Sequence, residues 1–162
     1  MKKLLVLLFI SIFTFTMAQD TSSSARYFAF RLKPHQDLKQ ELIAFAKAKN
    51  LKAACIVTCV GSLEQFHLRY ANQNEGIKMT GHFEIVSLTG TFSDTSSHLH
   101  LSVSDSTGKT TGGHLLDQNL IYTTAEMVIA ELSELEFSRE KDSVYGYQEL
   151  SIQKRSNKKS HE

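Results

Sequence analysis

HLHLSVSDSTGKTTGGHL, residues 98–115, reads as a β-hairpin, and that reading decides how the rest of the chain is organised. Asp105 and Gly108 stand at the first and fourth positions of a type I turn. Gly108 also supplies the left-handed residue of a three-residue loop closed by a G1 bulge. With that loop Asp105 pairs with Lys109, and counting outward along both strands puts His100 directly opposite His114. His98 lies two residues from His100 and therefore on the same side. A loop one residue shorter would send His114 to the other face. Leu99, Leu101 and Val103 occupy the opposite, core-facing side. The histidine face is otherwise small and polar: Ser102, Ser104, Thr110 and Gly112.

Three imidazoles on one face suit a metal ion. Opposed strand positions hold their Cβ atoms about 4.5–5.5 Å apart, and positions two residues apart along a strand are separated by about 7 Å. Imidazole arms span both distances. Three protein ligands leave one coordination position open, the arrangement of catalytic zinc sites, where a bound water becomes acidic. The expected ligands are His98, His100 and His114, with zinc first among the divalent metals and nickel, copper and iron also compatible with imidazole donors. The competing reading is a hydrogen-bonded histidine patch at a subunit interface. Catalysis would also need an acid or base; Glu126 is the first candidate and Glu84 the second, either of which serves equally as an orienting partner for a ring or as an ion-pair partner of Arg69 or Arg139. An open three-histidine site permits hydrolysis, but no reaction is assigned. His67 is expected half exposed on a strand, His35 and His161 in loop and tail, and His82 at a strand start, a candidate to orient a ligand ring.

The rest of the 162-residue chain frames one domain. MKKLLVLLFISIFTFTMAQ has the layout of a secretory signal peptide, residues 1–19, and its apolar stretch is too short to span a bilayer. Export to the periplasm or medium is therefore expected, with no stable membrane span after cleavage. Removing Lys2 and Lys3 from 18 basic residues leaves 16 against 17 acidic ones, which does not favour a polyanion partner. Residues 20–25 read as a linker, 26–153 as the domain and 154–162 as a frayed basic tail. Cys55 and Cys59, four strand positions or about 13 Å apart, exceed the roughly 7 Å that a disulfide allows. They are expected as small buried residues or as an intersubunit bridge.

Periodicity predicts a strand over Tyr27–Leu32 and a helix over Asp37–Lys49 that ends at Asn50. A central strand follows over Ala53–Val60, with a turn at Gly61-Ser62 and a return over Phe66–Tyr70. Asn72–Gly76 is read as a loop, Gly81–Phe92 as a strand pausing at Gly90, and Leu120–Leu132 as either a strand or a short helix, with Val128 and Ile129 favouring strand, while Phe137 and Tyr145–Ile152 close the sheet. The fold class expected from this is α+β: a two-layer sandwich of a mixed, largely antiparallel sheet and a packed helix.

At the hairpin the chain resembles the plants-and-prokaryotes-conserved (PPC) domain, also found in plant AT-hook nuclear proteins. The matching pieces run in order: LKQELIAFAKAKNLKAACI, GSLEQFHLRYAN from Gly61 to Asn72, FEIVSLTGTFS from Phe83 to Ser93, the hairpin, TTAEMVIAEL, and GYQEL from Gly146 to Leu150. The resemblance implies a two-layer subunit that forms a homotrimer. It also implies that this is the prokaryotic branch, whose three histidines match His98, His100 and His114 and are associated with a bound metal. Phe83, Glu84 and Ile85 match a segment linked to partner contacts in plants and are expected on a subunit-facing strand. The Arg-Gly-Arg core of an AT-hook does not occur here. The resulting expectation is an exported trimeric domain binding a divalent metal and a small ligand. The alternatives are a DNA-binding regulatory module and a purely structural trimer.

Overall fold

The computed structural model describes residues 21–156, and in that span the backbone forms eight strands and one helix. In order they are β1 (Ala25–Leu32), α1 (Leu38–Lys49), β2 (Ala54–Arg69), β3 (Gly76–Phe92), β4 (Ser97–Ser104), β5 (Thr110–Leu115), β6 (Leu120–Leu132), β7 (Leu135–Lys141) and β8 (Gln148–Lys154). The expected signal peptide, Asp20 and the last six residues lie outside the described span. Within it, no helix is long and apolar enough to cross a membrane.

The α+β sandwich expected from periodicity is corrected to a mostly-β fold: 61% of the described residues are strand, against one helix of 12 residues. Six antiparallel strands run in the order β1-β6-β2-β3-β4-β5, and β5 returns to β2 through Leu68↔Leu115 and Arg69↔His114. The strands β2, β3, β4 and β5 thus close a ring, and the sheet buries much of its own inner face. A 12-residue helix cannot cover six strands, so curling replaces a second layer. Phe66, Leu68, Leu99, Leu101, Val103 and Leu115 fill the ring, all almost fully buried.

The helix covers what remains. Asp37 caps it by accepting hydrogen bonds from the backbone N–H groups of Lys39 and Gln40, both at 3.0 Å, and Asn50 ends it in the left-handed region at φ 52°. Leu38, Leu42 and Ala46 are buried in the core, and Phe45 stacks on Phe30 of β1 with centroids 4.5 Å apart.

Two further expectations fail. β2 runs unbroken through Gly61-Ser62, so Phe66–Tyr70 continues the strand instead of returning. Gly61 adopts φ +148° with the Thr124 carbonyl packed where a side chain would begin, 2.0 Å from an ideal Cβ. Register shifts on either side bend the strand there without reversing it. The closing segment likewise does not extend the main sheet. β7 and β8 pair as a separate two-stranded sheet over a small cluster of Ala53, Leu135 and Phe137. Lys154 ends β8, donating to the Ser22 carbonyl at 2.7 Å, and the Arg155 N–H bonds the Glu134 carbonyl, so the expected tail begins as anchored chain. Both cysteines are free; Cys59 is buried, and burial pushes its thiol up to about 12.

Candidate metal centre

The hairpin forms with the register its turn dictates. Asp105 N–H donates to the Lys109 carbonyl at 3.0 Å and Gly108 N–H to the Asp105 carbonyl at 2.9 Å. The Asp105 carboxylate accepts from Thr107 N–H, Thr107 Oγ1 and Lys109 N–H, which holds it below the usual carboxylate range. His100 pairs with His114, Ser102 with Gly112 and Ser104 with Thr110. Leu99, Leu101 and Val103 point into the core as expected.

Closure of the ring fixes His114 a second time. On β5 it faces His100 across one ladder and Arg69 of β2 across the other. Gly113 makes this approach possible, because a Cβ there would lie 2.7 Å from the Arg69 carbonyl oxygen. On β4's other side, Thr91 and Thr89 of β3 stand opposite His98 and His100.

The three rings converge. Their centroids lie 5.0 Å apart for His98–His100, 5.2 Å for His98–His114 and 5.7 Å for His100–His114. One nitrogen from each falls within 4.8 Å of the other two, and His98 Nε2 lies 3.2 Å from His100 Nε2. Two nitrogens bound tetrahedrally to one zinc at about 2.0–2.1 Å are separated by about 3.3 Å. The closest pair is therefore already at coordinating separation. Among the described residues His114 Nδ1 is buried without a hydrogen-bond partner, a cost that an ion or a small donor reaching that nitrogen would remove.

Burial and neighbouring charges favour the neutral form of His98 and His114. Burial first, then the neighbouring His98, Arg69, His100 and Lys39, lower His114 from its ordinary value to about 4. Burial, His100, Arg139 and Arg69 lower His98, with Glu149 acting in the opposite sense. Neutral imidazole is the form that ligates metal. The donor set, its spacing and the orphaned nitrogen all fit a divalent ion held by His98, His100 and His114; when bound, such an ion supplies Lewis acidity and an acidified water.

The two carboxylates named from sequence sit elsewhere on the sheet. Glu126 is exposed on β6, opposite Arg31 and Val60. Glu84 is exposed on β3, opposite Ser62 and Ser104. Neither lines the clefts around the rings. His82 stacks on Tyr122 at 4.2 Å, His67 Nδ1 meets the Asp117 carbonyl at 2.9 Å, and His35 pairs with Glu64 at 2.8 Å. Phe83 and Ile85 are buried in the core, with Phe83 packed edge-on against Phe66, while Glu84 between them is exposed on the strand's other face. Beside the triad stand residues that sequence reading did not assemble: Arg69, Arg139, Tyr147 and Glu149. Arg69 carries no local signal, because its pairing with His114 joins two strands 45 residues apart in the chain.

A family model, the Plants and Prokaryotes Conserved (PCC) domain, also abbreviated PPC, matches residues 19–133. The chain belongs to this family. A Bifunctional protein GlmU from Synechococcus sp. (strain JA-3-3Ab) is 47% identical to this PCC domain over 133 residues, 82% of this chain and 21% of that protein. The chain thus spans about a fifth of the length of that curated relative. The structure of a hypothetical protein from Salmonella enterica shares 44% identity with a TM-score of 0.83, covering 85% of this chain and all of that one. A metal-containing protein from Archaeoglobus fulgidus shares the PCC fold at a TM-score of 0.70 and 24% identity, covering 81% of this chain and 97% of that one.

Proposed function

We propose that this PCC-domain protein binds one divalent metal ion through His98, His100 and His114, zinc being the best match to an all-imidazole set, and that it does so as an exported homotrimer with a small-molecule ligand. The observation that carries the metal reading is the convergence of three ring nitrogens within 4.8 Å beside the unpartnered His114 Nδ1. Support for export comes from the amino-terminal sequence, MKKLLVLLFISIFTFTMAQ. Support for self-association comes from the family resemblance and from exposed Val57, Val60 and Val86 on the adjacent strands β2 and β3.

Elemental analysis of the mature protein together with its native mass tests this reading. One zinc per chain and a mass of three chains are expected. Alanine at His98, His100 or His114 should each lower zinc affinity by a hundredfold or more while circular dichroism stays unchanged. Failure to take up zinc, nickel, copper or iron on titration would overturn it.

A further inference from the structure

Two guanidinium groups flank the histidines from strands distant in sequence. Arg69 of β2 stands opposite His114. Arg139 of β7 donates to Thr91 Oγ1 at 3.2 Å, and Thr91 stands opposite His98. Both line one cleft of about 340 Å³ with His98, His114, Tyr147 and Glu149. A second cleft of about 500 Å³ shares Arg69 and His114 and is walled by Ser87, Thr89, Ser102 and Gly112.

The two arginines are underused. Each offers five N–H donors; Arg69 gives one to the Gln73 carbonyl at 3.2 Å, and Arg139 gives one to Thr91. Among the described residues neither forms a salt bridge, whereas Arg26 meets Glu131 at 2.7 Å and Lys52 meets Asp94 at 2.6 Å. What sets these two apart is position: both unpaired guanidinium groups line the same cleft as His98 and His114. Glu149 is the carboxylate on the cleft wall, so positive charge is in excess there even before an ion is counted. Such a field concentrates anions, and a guanidinium fork matches a carboxylate or phosphate by paired hydrogen bonds. Arg139 lies beyond residues 19–133, the span of the family match, and belongs to the second sheet.

We infer that Arg69 and Arg139 form an anion-binding arm of the histidine site, and that its ligand is a small polar molecule presenting a carboxylate or phosphate group. The oxyanion sits between the guanidinium groups and the imidazole cluster, and the hydroxyl-lined cleft takes the remainder. The inference rests on the metal reading only for the ion's share of the attraction.

Calorimetric titration of the mature chain, zinc-loaded and metal-free, with inorganic phosphate and separately with acetate, tests it. One anion per chain is expected, with the stronger of the two probes naming the chemistry. Arg69→Met and Arg139→Met should each weaken binding at least tenfold while zinc content stays the same. Arg139→Lys, which keeps the charge and loses the fork, should fall between, and it carries the test if the methionine variant does not fold. Equal binding by wild type and the arginine variants would overturn the inference. Zinc uptake at one per chain with neither anion binding would overturn it and leave the metal reading standing. Arginine-dependent phosphate binding in a protein that takes up no zinc would support it while the metal reading failed.

Discussion

Two antiparallel hairpins meet at the histidine cluster, and they are built to different standards. β4–β5 belongs to the six-stranded sheet on both edges, with a turn locked by three hydrogen bonds to Asp105 and an inner face that is essentially fully buried. β7–β8 stands as its own sheet over a small apolar cluster, tied to the main body by bonds such as Phe137 N–H to the Lys52 carbonyl at 2.9 Å. Between its strands, Val144, Tyr145 and Tyr147 are 74%, 80% and 67% exposed. The difference assigns tasks. The rings that the proposed ion would bridge sit on the strands that cannot shift without opening the core, while Arg139 sits on the element that can adjust to the proposed ligand.

Core truncation separates the two most strongly. Leu101→Ala is expected to cost about 2–5 kcal/mol and to lower the denaturation midpoint of the whole molecule. Phe137→Ala should act locally: amide exchange rises in β7–β8, β4 amides stay protected, and zinc stoichiometry is kept. Equal acceleration in both hairpins would erase the distinction. Next in size is Gly113→Val, which sets a side chain against the Arg69 carbonyl. About 1–3 kcal/mol of destabilisation is expected, with zinc affinity falling as β5 parts from β2.

A smaller effect comes with pH. His114 is lowered to about 4 when folded, against about 6.5 unfolded, so between those values the unfolded chain binds more protons. Its contribution to the stability of the metal-free protein is present above pH 6.5 and is lost as pH falls toward 4. His114→Gln should flatten that part of the melting-temperature profile, and an unchanged profile would contradict the burial of the ring. The smallest effect belongs to Asp105→Ala, at the hairpin turn, whose loss should lower the melting temperature slightly and leave β7–β8 exchange unchanged.

These contrasts also show what the sequence exposes and what it hides. The β4–β5 register was legible because it follows from local chemistry, an Asp and a Gly three residues apart. The helix was legible for the same reason, its ends marked by Asp37 and Asn50. Gly61-Ser62 has the composition of a turn, yet it bends a continuous strand because the Thr124 backbone packs against it, and that neighbour is 63 residues away. Phe137 and Ile152 alternate as any sheet-closing strands would, so nothing local distinguishes a separate sheet. Arg69 and Arg139 reach the site only through β2–β5 closure and the docking of β7, and neither event leaves a spacing in the chain.

Anomalous diffraction at the zinc edge, from crystals of the zinc-loaded mature protein, tests the convergence of the three rings most directly. One peak per chain is expected, about 2.0–2.1 Å from a ring nitrogen of each of His98, His100 and His114. A peak bound by other residues, or rings turned away from a common centre with no peak between them, would contradict it.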